Sequence, residues 1–530
     1  MSDVWPPRSA WRSEPEGDAV IPILTPAESS ELDRESAARG ITTLELMENA
    51  GRAVARTCAA IAGGTYGRRA VVVCGKGNNG GDGLAAARHM ERSGLLARVV
   101  LIADPSELRG EPASNLRQFV SAAGVVHRYS EDRLSREVDR ADVVVDAIFG
   151  TGFRGAPEND FARAIEVIND AAGSVVAVDI PSGVEGETGL VRGRAVHADA
   201  TVTFGGLKPG LVFHPGAGYA GEVEVADIGF PPDLVRSDLW LVEAEDVAGL
   251  VPSRAPESHK RASGVVLVVA GSRSMTGAAA LAAGAAYRAG AGLVTVAVPE
   301  GILSVVQAAV PEATFLPLPQ TQEGTVAEGA SGELLERLRD VQAMAIGPGL
   351  TTNPSTVELV RRLVAECPVP FVLDADGLNA FAGRGSLLAE RRSEVVITPH
   401  AGEFGRLTGL SSSEVLEDRV GHARKAAAEF RCTVLLKGSR TVVAEPGGRV
   451  RVNPTGSPYL ATGGTGDVLT GAVAAFLARG LAPADAGVLA AYVHGVAGRM
   501  AGAELGEGTV APDVLARFPA ALAALSKEAR

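Results

Sequence analysis

The sequence predicts an α/β protein of two domains, an N-terminal Rossmann-like three-layer α/β/α unit and a second α/β unit built on its own sheet. Three observations predict it. Short runs of β-branched residues alternate with longer Ala/Leu/Arg-rich segments of helical period along almost the whole chain, the pattern of parallel strands joined by crossover helices. The 530 residues exceed what one hydrophobic core organises, since a single core stops growing at roughly 250–300 residues. A Pro-rich zone, Gly229-Phe230-Pro231-Pro232-Asp233-Leu234 followed by Pro252-Ser253-Arg254-Ala255-Pro256, interrupts the alternation and places the boundary near residue 235. The expected organisation is a flexible tail over 1–20, one domain over 21–235 and a second over 236–530.

In the first domain the expected strands are Ala70–Cys74, Arg98–Ile102, Asp142–Asp146, Ser174–Asp179, Ala200–Phe204 and Glu222–Val225. Most run straight into Gly or Asp, as strand ends in doubly wound sheets do. In the second they are Gly264–Ala270, Leu293–Val298, Ala343–Ile346, Pro370–Leu373, Glu394–Ile397 and Thr433–Leu436, with a hairpin near Thr441–Val452 turning through Pro446-Gly447-Gly448. No repeat of 20–50 residues is visible, which excludes solenoids.

Composition narrows the function classes. Acidic residues (63) exceed Lys plus Arg (50), and 46% apolar with 21% charged is a soluble globular balance. The negative net charge argues against a general binder of nucleic acid or anionic membrane. The four cysteines, Cys58, Cys74, Cys367 and Cys432, lie far apart without a CxxC pair, so neither a disulfide framework nor a Cys-type zinc site is expected and a reducing cytoplasm is the simplest location. The first twenty residues, with Trp5, Pro6, Pro7, Glu14 and Glu16, lack the apolar core of a secretory signal. The greasiest segment, Ala278–Ala291, is Ala and Gly with Tyr287 and Arg288 inside it, too short and too interrupted to span a membrane.

Strand Val71-Val72-Val73-Cys74 enters Gly75-Lys76-Gly77-Asn78-Asn79-Gly80-Gly81-Asp82-Gly83 and then a helix. The string contains GxGxxG, which in a nicotinamide fold sets glycines against a pyrophosphate with an acidic residue about 20 positions on; Asp104 is the only loose candidate for that residue. The Asn78-Asn79 pair and Asp82 depart from the fingerprint, because a carboxylate beside phosphate needs a ribose hydroxyl or a cation. Three further loops, Asp146 to Gly155, Asp179-Ile180-Pro181-Ser182-Gly183 and Gly206-Leu207-Lys208-Pro209-Gly210, also follow strands and are expected to face the same crevice. Each alone reads equally well as a turn or an N-cap.

GKGNNGGDG, with DAIFGTGFRG, VDIPSG and GLKPG at these spacings, resembles the NAD(P)H-hydrate epimerase family over roughly residues 20–230; Leu32-Asp33-Arg34 and Leu46 to Gly51 are similar to that family's opening helices. The resemblance implies that Asn78, Asn79, Gly80, Gly81 and Asp82, then Gly150, Thr151, Gly152, Phe153, Arg154, Gly155 and Ala156, and Asp179 line a hydrate site. It also implies that Asn79, Asp146 and Ser182 hold a potassium ion. Epimerising C6 of a hydrated nicotinamide needs a positioned proton carrier, and Asp179 is the candidate.

In the second domain Asn453-Pro454-Thr455-Gly456 precedes Ala461-Thr462-Gly463-Gly464-Thr465-Gly466-Asp467 and a helix. Backbone N–H groups at such a start form an anion hole for a phosphoryl group, and Asp467 in the first turn can take a proton from an attacking hydroxyl. Lys437-Gly438-Ser439-Arg440-Thr441 suits nucleotide phosphates, and its weight comes from rarity: six of the 50 basic residues are Lys. His400 in Thr398-Pro399-His400-Ala401-Gly402-Glu403 can hydrogen-bond a polar ring; Gly347-Pro348-Gly349 ends another strand; Asp376 is open between ligand group and cap.

With His259-Lys260 and the Gly264–Ala270 strand, these motifs resemble the ribokinase-like ADP- or ATP-dependent NAD(P)H-hydrate dehydratases over roughly residues 240–525. The resemblance implies hydrate contacts at Ala279, Gly349, His400 and Asp467, nucleotide contacts at Lys437, Gly438, Ser439, Arg440, Thr441 and Gly466, and Mg²⁺ with the nucleotide. The chain departs from the family in reading His259-Lys260-Arg261-Ala262-Ser263-Gly264 for HKGxxG and Ala401 for the proline of TPHPGE. The expected partners are NADHX, NADPHX and ADP or ATP, with ADP favoured, in a homo-oligomer that binds neither nucleic acid nor membrane. The alternatives are a ribokinase-like small-molecule kinase fused to a ligand-binding domain, a non-catalytic nucleotide sensor, and a hydride-transfer enzyme. The last lacks a proton-transfer pair and a standard ribose acid.

Overall fold

The computed structural model describes residues 21–528, and the tail expected over 1–20 lies outside the described residues. The chain divides after Ser237 into two compact units.

The sheet of the first unit has seven strands, β1 (Arg69–Cys74), β2 (Leu96–Leu101), β3 (Val125–Arg128), β4 (Val143–Ala147), β5 (Ser174–Val178), β6 (Ala200–Phe204) and β7 (Glu222–Ala226). Every pairing is parallel, in the order β3-β2-β1-β4-β5-β6-β7. The winding reverses between β1 and β4, which opens a crevice at their carboxyl ends. Val71, Val73 and Val144 pack with Leu134 and Ile165 on one face, while Val72, Val143 and Val145 meet Leu46, Val54, Leu84 and Met90 on the other. Burial on both faces is why these strands read as unbroken apolar runs. Helix Thr43–Ile61 starts at a capping box between Thr42 and Glu45. It lies so close to helix Asn78–Ser93 that a Cβ on Gly51 would sit 2.6 Å from the Ala85 methyl.

The second unit has ten strands of its own, β8 (Leu239–Leu241), β9 (Val265–Val269), β10 (Leu293–Pro299), β11 (Thr314–Leu318), β12 (Ala343–Ile346), β13 (Phe371–Leu373), β14 (Val395–Ile397), β15 (Thr433–Leu436), β16 (Thr441–Ala444) and β17 (Val450–Asn453). Their order is β8-β17-β16-β15-β14-β13-β12-β9-β10-β11. From β15 through β11 the pairings are parallel; β16 runs antiparallel to both β15 and β17, as the expected hairpin requires, and β17 pairs β8 in parallel. The order reverses between β9 and β12, so this unit too has a crevice at its strand ends.

Helix Thr465–Ala478 is buried without a break from Val468 to Ala478, as a helix apolar on all sides must be. It packs on helix Thr276–Arg288, whose Ala-rich sequence lets the backbones close in: a Cβ on Gly471 would lie 2.0 Å from the Ala282 carbonyl oxygen. The greasy 278–291 segment therefore belongs to the core, and no helix among the described residues is long and apolar enough to cross a membrane. All four cysteines are buried free thiols.

Candidate active sites

In the first unit, β1 ends in a glycine loop because nothing larger fits. A Cβ on Gly75 would stand 2.2 Å from the Ile148 carbonyl oxygen, and one on Gly80 would stand 2.1 Å from that of Gly75. The loop is thus pressed against the end of β4, where Asp146 is fully buried. Asp146 accepts from the Ser182 hydroxyl (2.6 Å) and the Ser182 N–H (2.7 Å), and Ser182 Oγ accepts from the Phe149 N–H (2.9 Å). Asn79 Nδ2 donates to the Phe149 carbonyl (2.9 Å), while Asn79 Oδ1 is buried without a partner. Burial pushes the Asp146 carboxyl up to about 6, against the hydrogen bonds from Ser182 and Ile148. The three residues expected at a cation are therefore brought together, Asp146 with Ser182 directly and both with Asn79 through the Phe149 backbone, and the Asn79 Oδ1 acceptor is left unused.

Beside this cluster opens a cavity of about 1230 Å³, lined by Asp33, Asn78, Asn79, Asp82, Asp179 and Lys208 with Gly150 to Arg154. Asp179 sits at the end of β5 with φ +65°, a backbone region that non-glycine residues rarely occupy, fixed by its N–H donating to the Val202 carbonyl (2.7 Å). Its Oδ1 accepts from Thr203 Oγ1 (3.0 Å) and lies 3.2 Å from Lys208 Nζ. The Lys208 ammonium is 2% exposed and donates to Thr203 Oγ1 (3.0 Å) and to the carbonyls of Phe204 (2.7 Å) and Gly206 (3.0 Å). Burial, then Asp179 and Asp33, hold the Asp82 carboxyl well above its ordinary range. Asp33 is raised by burial and Asp179 and lowered by Lys208.

Not every expected contact faces this space. Gly80, Gly81, Gly155 and Ala156 do not line it: Gly81 lies by Met47 and Pro112, and the Gly155 N–H is taken by Glu185 (3.0 Å). Phe149 and Phe153 stack at 4.5 Å on its wall. Asp104 lines it too, but caps Ser106 and pairs with Arg128 (2.6 Å). Lys208 and Asp33 were quoted in sequence motifs without a role; the scarcity of Lys was the signal for the first, and nothing local marks the second.

In the second unit, Asp467 occupies the first turn of helix Thr465–Ala478, after Gly464 in the left-handed conformation. Burial first, then Asp374 and Asp376 against Lys437, bring its carboxyl up to about 7. Lys437 Nζ donates to Asp374 Oδ1 (2.8 Å) and lies 3.7 Å from Glu403. Burial alone would lower the ammonium, and the two carboxylates outweigh it, so its pKa is raised. Asp374, 1% exposed, also accepts from Thr470 Oγ1 (2.6 Å). A Cβ on Gly466 would stand 3.6 Å from Lys437 Nζ, which puts this cation under the helix start. The 437–441 segment thus works in two parts: Lys437 turns in toward Asp467, while Gly438 to Thr441 form a turn that Arg419 holds by hydrogen bonds to the carbonyls of Leu436 (3.3 Å) and Ser439.

His400 caps helix Ala401–Thr408 with Nδ1, accepting from the Gly402 N–H (3.0 Å), and its ring is exposed. Gly349 has φ +66° and approaches Met275 and Ala278; Ala279 is fully buried against Gly271. Asp376, open between ligand group and cap, accepts from the Thr351 N–H (2.8 Å) and from Asn379 (3.0 Å), while the cap of its own short helix is Ala375. His494, missed from sequence, is buried with Nε2 unpartnered; burial brings it down to about 4, with the Thr465 backbone and Lys437 as its other influences.

Comparison with known proteins gives these two sites a common setting. A bifunctional NAD(P)H-hydrate repair enzyme Nnr from Moorella thermoacetica is 44% identical over 516 residues, covering 96% of this chain and 97% of its own. The chain belongs to the bifunctional NAD(P)H-hydrate repair enzymes. A second member of that family, from Thermofilum pendens, is 42% identical over 502 residues, covering 94% of this chain and 95% of its own. The family model described as YjeF-related protein N-terminus matches residues 43–210, and the model described as NAD(P)H-hydrate dehydratase matches 266–519. A solved Bacillus subtilis ADP/ATP-dependent NAD(P)H-hydrate dehydratase, co-crystallised with ATP/Mg²⁺, is 33% identical and covers 54% of this repair-family chain and 98% of its own, with a TM-score of 0.46.

Proposed function

We propose that residues 21–235 interconvert the R and S epimers of NADHX and NADPHX, and that residues 236–530 dehydrate the S form to NADH or NADPH with ADP or ATP as phosphoryl donor. The observation that carries this reading is Asp467: a carboxyl brought up to about 7 at the start of a buried helix, beside the Lys437 cation. A base near neutrality at an anion-binding helix start suits removal of a hydroxyl proton as the oxygen attacks phosphorus.

The C6 hydroxyl of the hydrate is a poor leaving group. Asp467 takes its proton, the oxygen bonds to the terminal phosphorus as the phosphoanhydride bond breaks and AMP (from ADP) or ADP (from ATP) leaves, and Lys437 with the N–H groups of the helix start offset the developing charge. The nitrogen lone pair then expels phosphate from C6 and a proton leaves C5, which restores the dihydronicotinamide ring. Mg²⁺ accompanies the nucleotide phosphates. The turn from Gly438 to Thr441 with Gly466 supports the nucleotide, and His400 and Gly349 support the hydrate.

In the first unit Asp179 moves the proton within the cavity, where Phe149 and Phe153 offer a flat apolar wall. Asn79, Asp146 and Ser182 fit potassium: the donors are all oxygen, and Asn79 Oδ1 is buried with no partner. Potassium would supply positive charge beside the buried Asp146.

The test supplies epimeric NADHX with Mg²⁺ and potassium, and with ADP, ATP or no nucleotide, and follows the absorbance of the reduced nicotinamide. Full recovery that depends on nucleotide is expected, because both epimers must be consumed. A plateau at the S fraction would remove the epimerase, and a stable phosphorylated product would turn the second unit into a kinase.

A further inference from the structure

Of the carboxyls that line the first unit's cavity, Asp33, Asp82 and Asp179 share it with one buried cation, Lys208. The cation is not shared evenly. Lys208 Nζ touches Asp179 at 3.2 Å, and the Thr203 hydroxyl, which accepts from Lys208, donates to the same Asp179 oxygen. Every influence on Asp82 opposes its charged form: burial, Asp179 and Asp33, with no cation among them. Two carboxyls facing one space, one held by a buried ammonium and the other with no cation beside it, are the equipment of acid–base chemistry at oxygen.

We propose that Asp82 and Asp179 act as a pair at the C6 hydroxyl of the hydrate, Asp82 giving a proton to the departing oxygen and Asp179 taking one from the water that returns. This rests on the epimerase reading above. In the forward step the C6–O bond breaks with its electrons going to oxygen, the Asp82 proton makes that oxygen water, and the N1 lone pair forms N1=C6. Water then bonds to C6 from the opposite face, the N1=C6 electrons return to nitrogen, and Asp179 holds the proton released. Nothing is oxidised or reduced, the proton left on Asp179 passes back to Asp82 through the cavity water before the next turnover, and the reverse reaction runs the same steps with the two carboxyls exchanged. An epimerase must work in both directions, which is why two groups of one chemical kind suit it better than a Lys or His with a carboxylate.

The experiment compares Asp82→Asn, Asp179→Asn and wild type in the full chain, following R-to-S conversion of NADHX by chromatography in ¹⁸O-water, with the enzyme-free rate subtracted. Melting curves confirm folded protein, and Asn keeps the size of each side chain. The expected result is a loss of about 10²–10⁴-fold in both variants, the usual span for a general acid or base, and one ¹⁸O incorporated per conversion in wild type. Loss in only one variant overturns the pair. Conversion without ¹⁸O overturns C–O cleavage. Activity within a few-fold of wild type in both variants would instead remove this cavity as the epimerase site.

Discussion

The ammonium of Lys437 lies 2.8 Å from Asp374 Oδ1, although 63 residues separate them in sequence, and the second carboxylate oxygen of Asp374 is held by Thr470. The pair ties the end of β15 to the end of β13 and to helix Thr465–Ala478, the three elements that meet at Asp467. Lys437→Met strands Asp374 as a buried unpaired charge and should lower unfolding free energy by about 3–5 kcal/mol. Urea titration followed by tryptophan fluorescence measures it, and a change below 1 kcal/mol would mean that Asp374 finds another partner.

Asp467 must be ionised to take a proton, so dehydration should rise with pH through about 7. Asp374→Asn removes the largest like charge acting on it and should move that rise to lower pH. Asp467→Asn should retain nucleotide binding, read by calorimetry, and lose at least about 10²-fold in turnover.

The same carboxyl ties stability to pH. Its folded value of about 7 exceeds the ordinary 3.8, so its contribution to stability is complete below about 3.8 and is lost as pH rises through about 7. Asp467→Asn should therefore melt higher than wild type at pH 8, while wild type gains on it in acid. Equal melting temperatures at pH 8 would show that the folded carboxylate is not penalised.

Potassium should raise the melting temperature of the wild-type protein more than sodium at equal ionic strength. Asn79→Ala, which removes the unused buried acceptor, should abolish the difference. A potassium effect that survives in this variant would place the ion elsewhere.

Gly471→Ala drives a methyl toward the Ala282 carbonyl oxygen, 2.0 Å from the ideal Cβ position. Helix Thr465–Ala478 or helix Thr276–Arg288 must then shift, at about 1–3 kcal/mol or more. The Asp467 turn moves with the first of these, so dehydration should fall while R-to-S conversion persists. Separate assays of the two reactions check it.

The interior strands were legible because burial on both faces leaves a continuous apolar run, as in Val71-Val72-Val73. β3, β8 and β11 were not. β3 and β11 end their sheets with half-covered residues, and β8 is three residues long, so none carries a pattern. The glycine loops and the carboxylates Asp179 and Asp467 stood out because backbone crowding and acidity at strand or helix ends are local properties. Asp374 and His494 did not, since each acquires its meaning from a partner brought in by the fold. His400 shows the converse: its motif drew attention, and one ring nitrogen is spent capping its own helix.

The pairing of β8 with β17 joins Leu239 to Val450. During synthesis from the amino end, the first strand of the second unit therefore has no neighbour from its own unit until about 200 further residues have been made. The first unit is different: β7, its last strand, is complete at Ala226, before β8 is translated. Its parallel sheet can close while the rest of the chain is still being made, whereas the second sheet waits almost for its end. The first unit can thus fold before the second is complete, and the edge of the second sheet closes last.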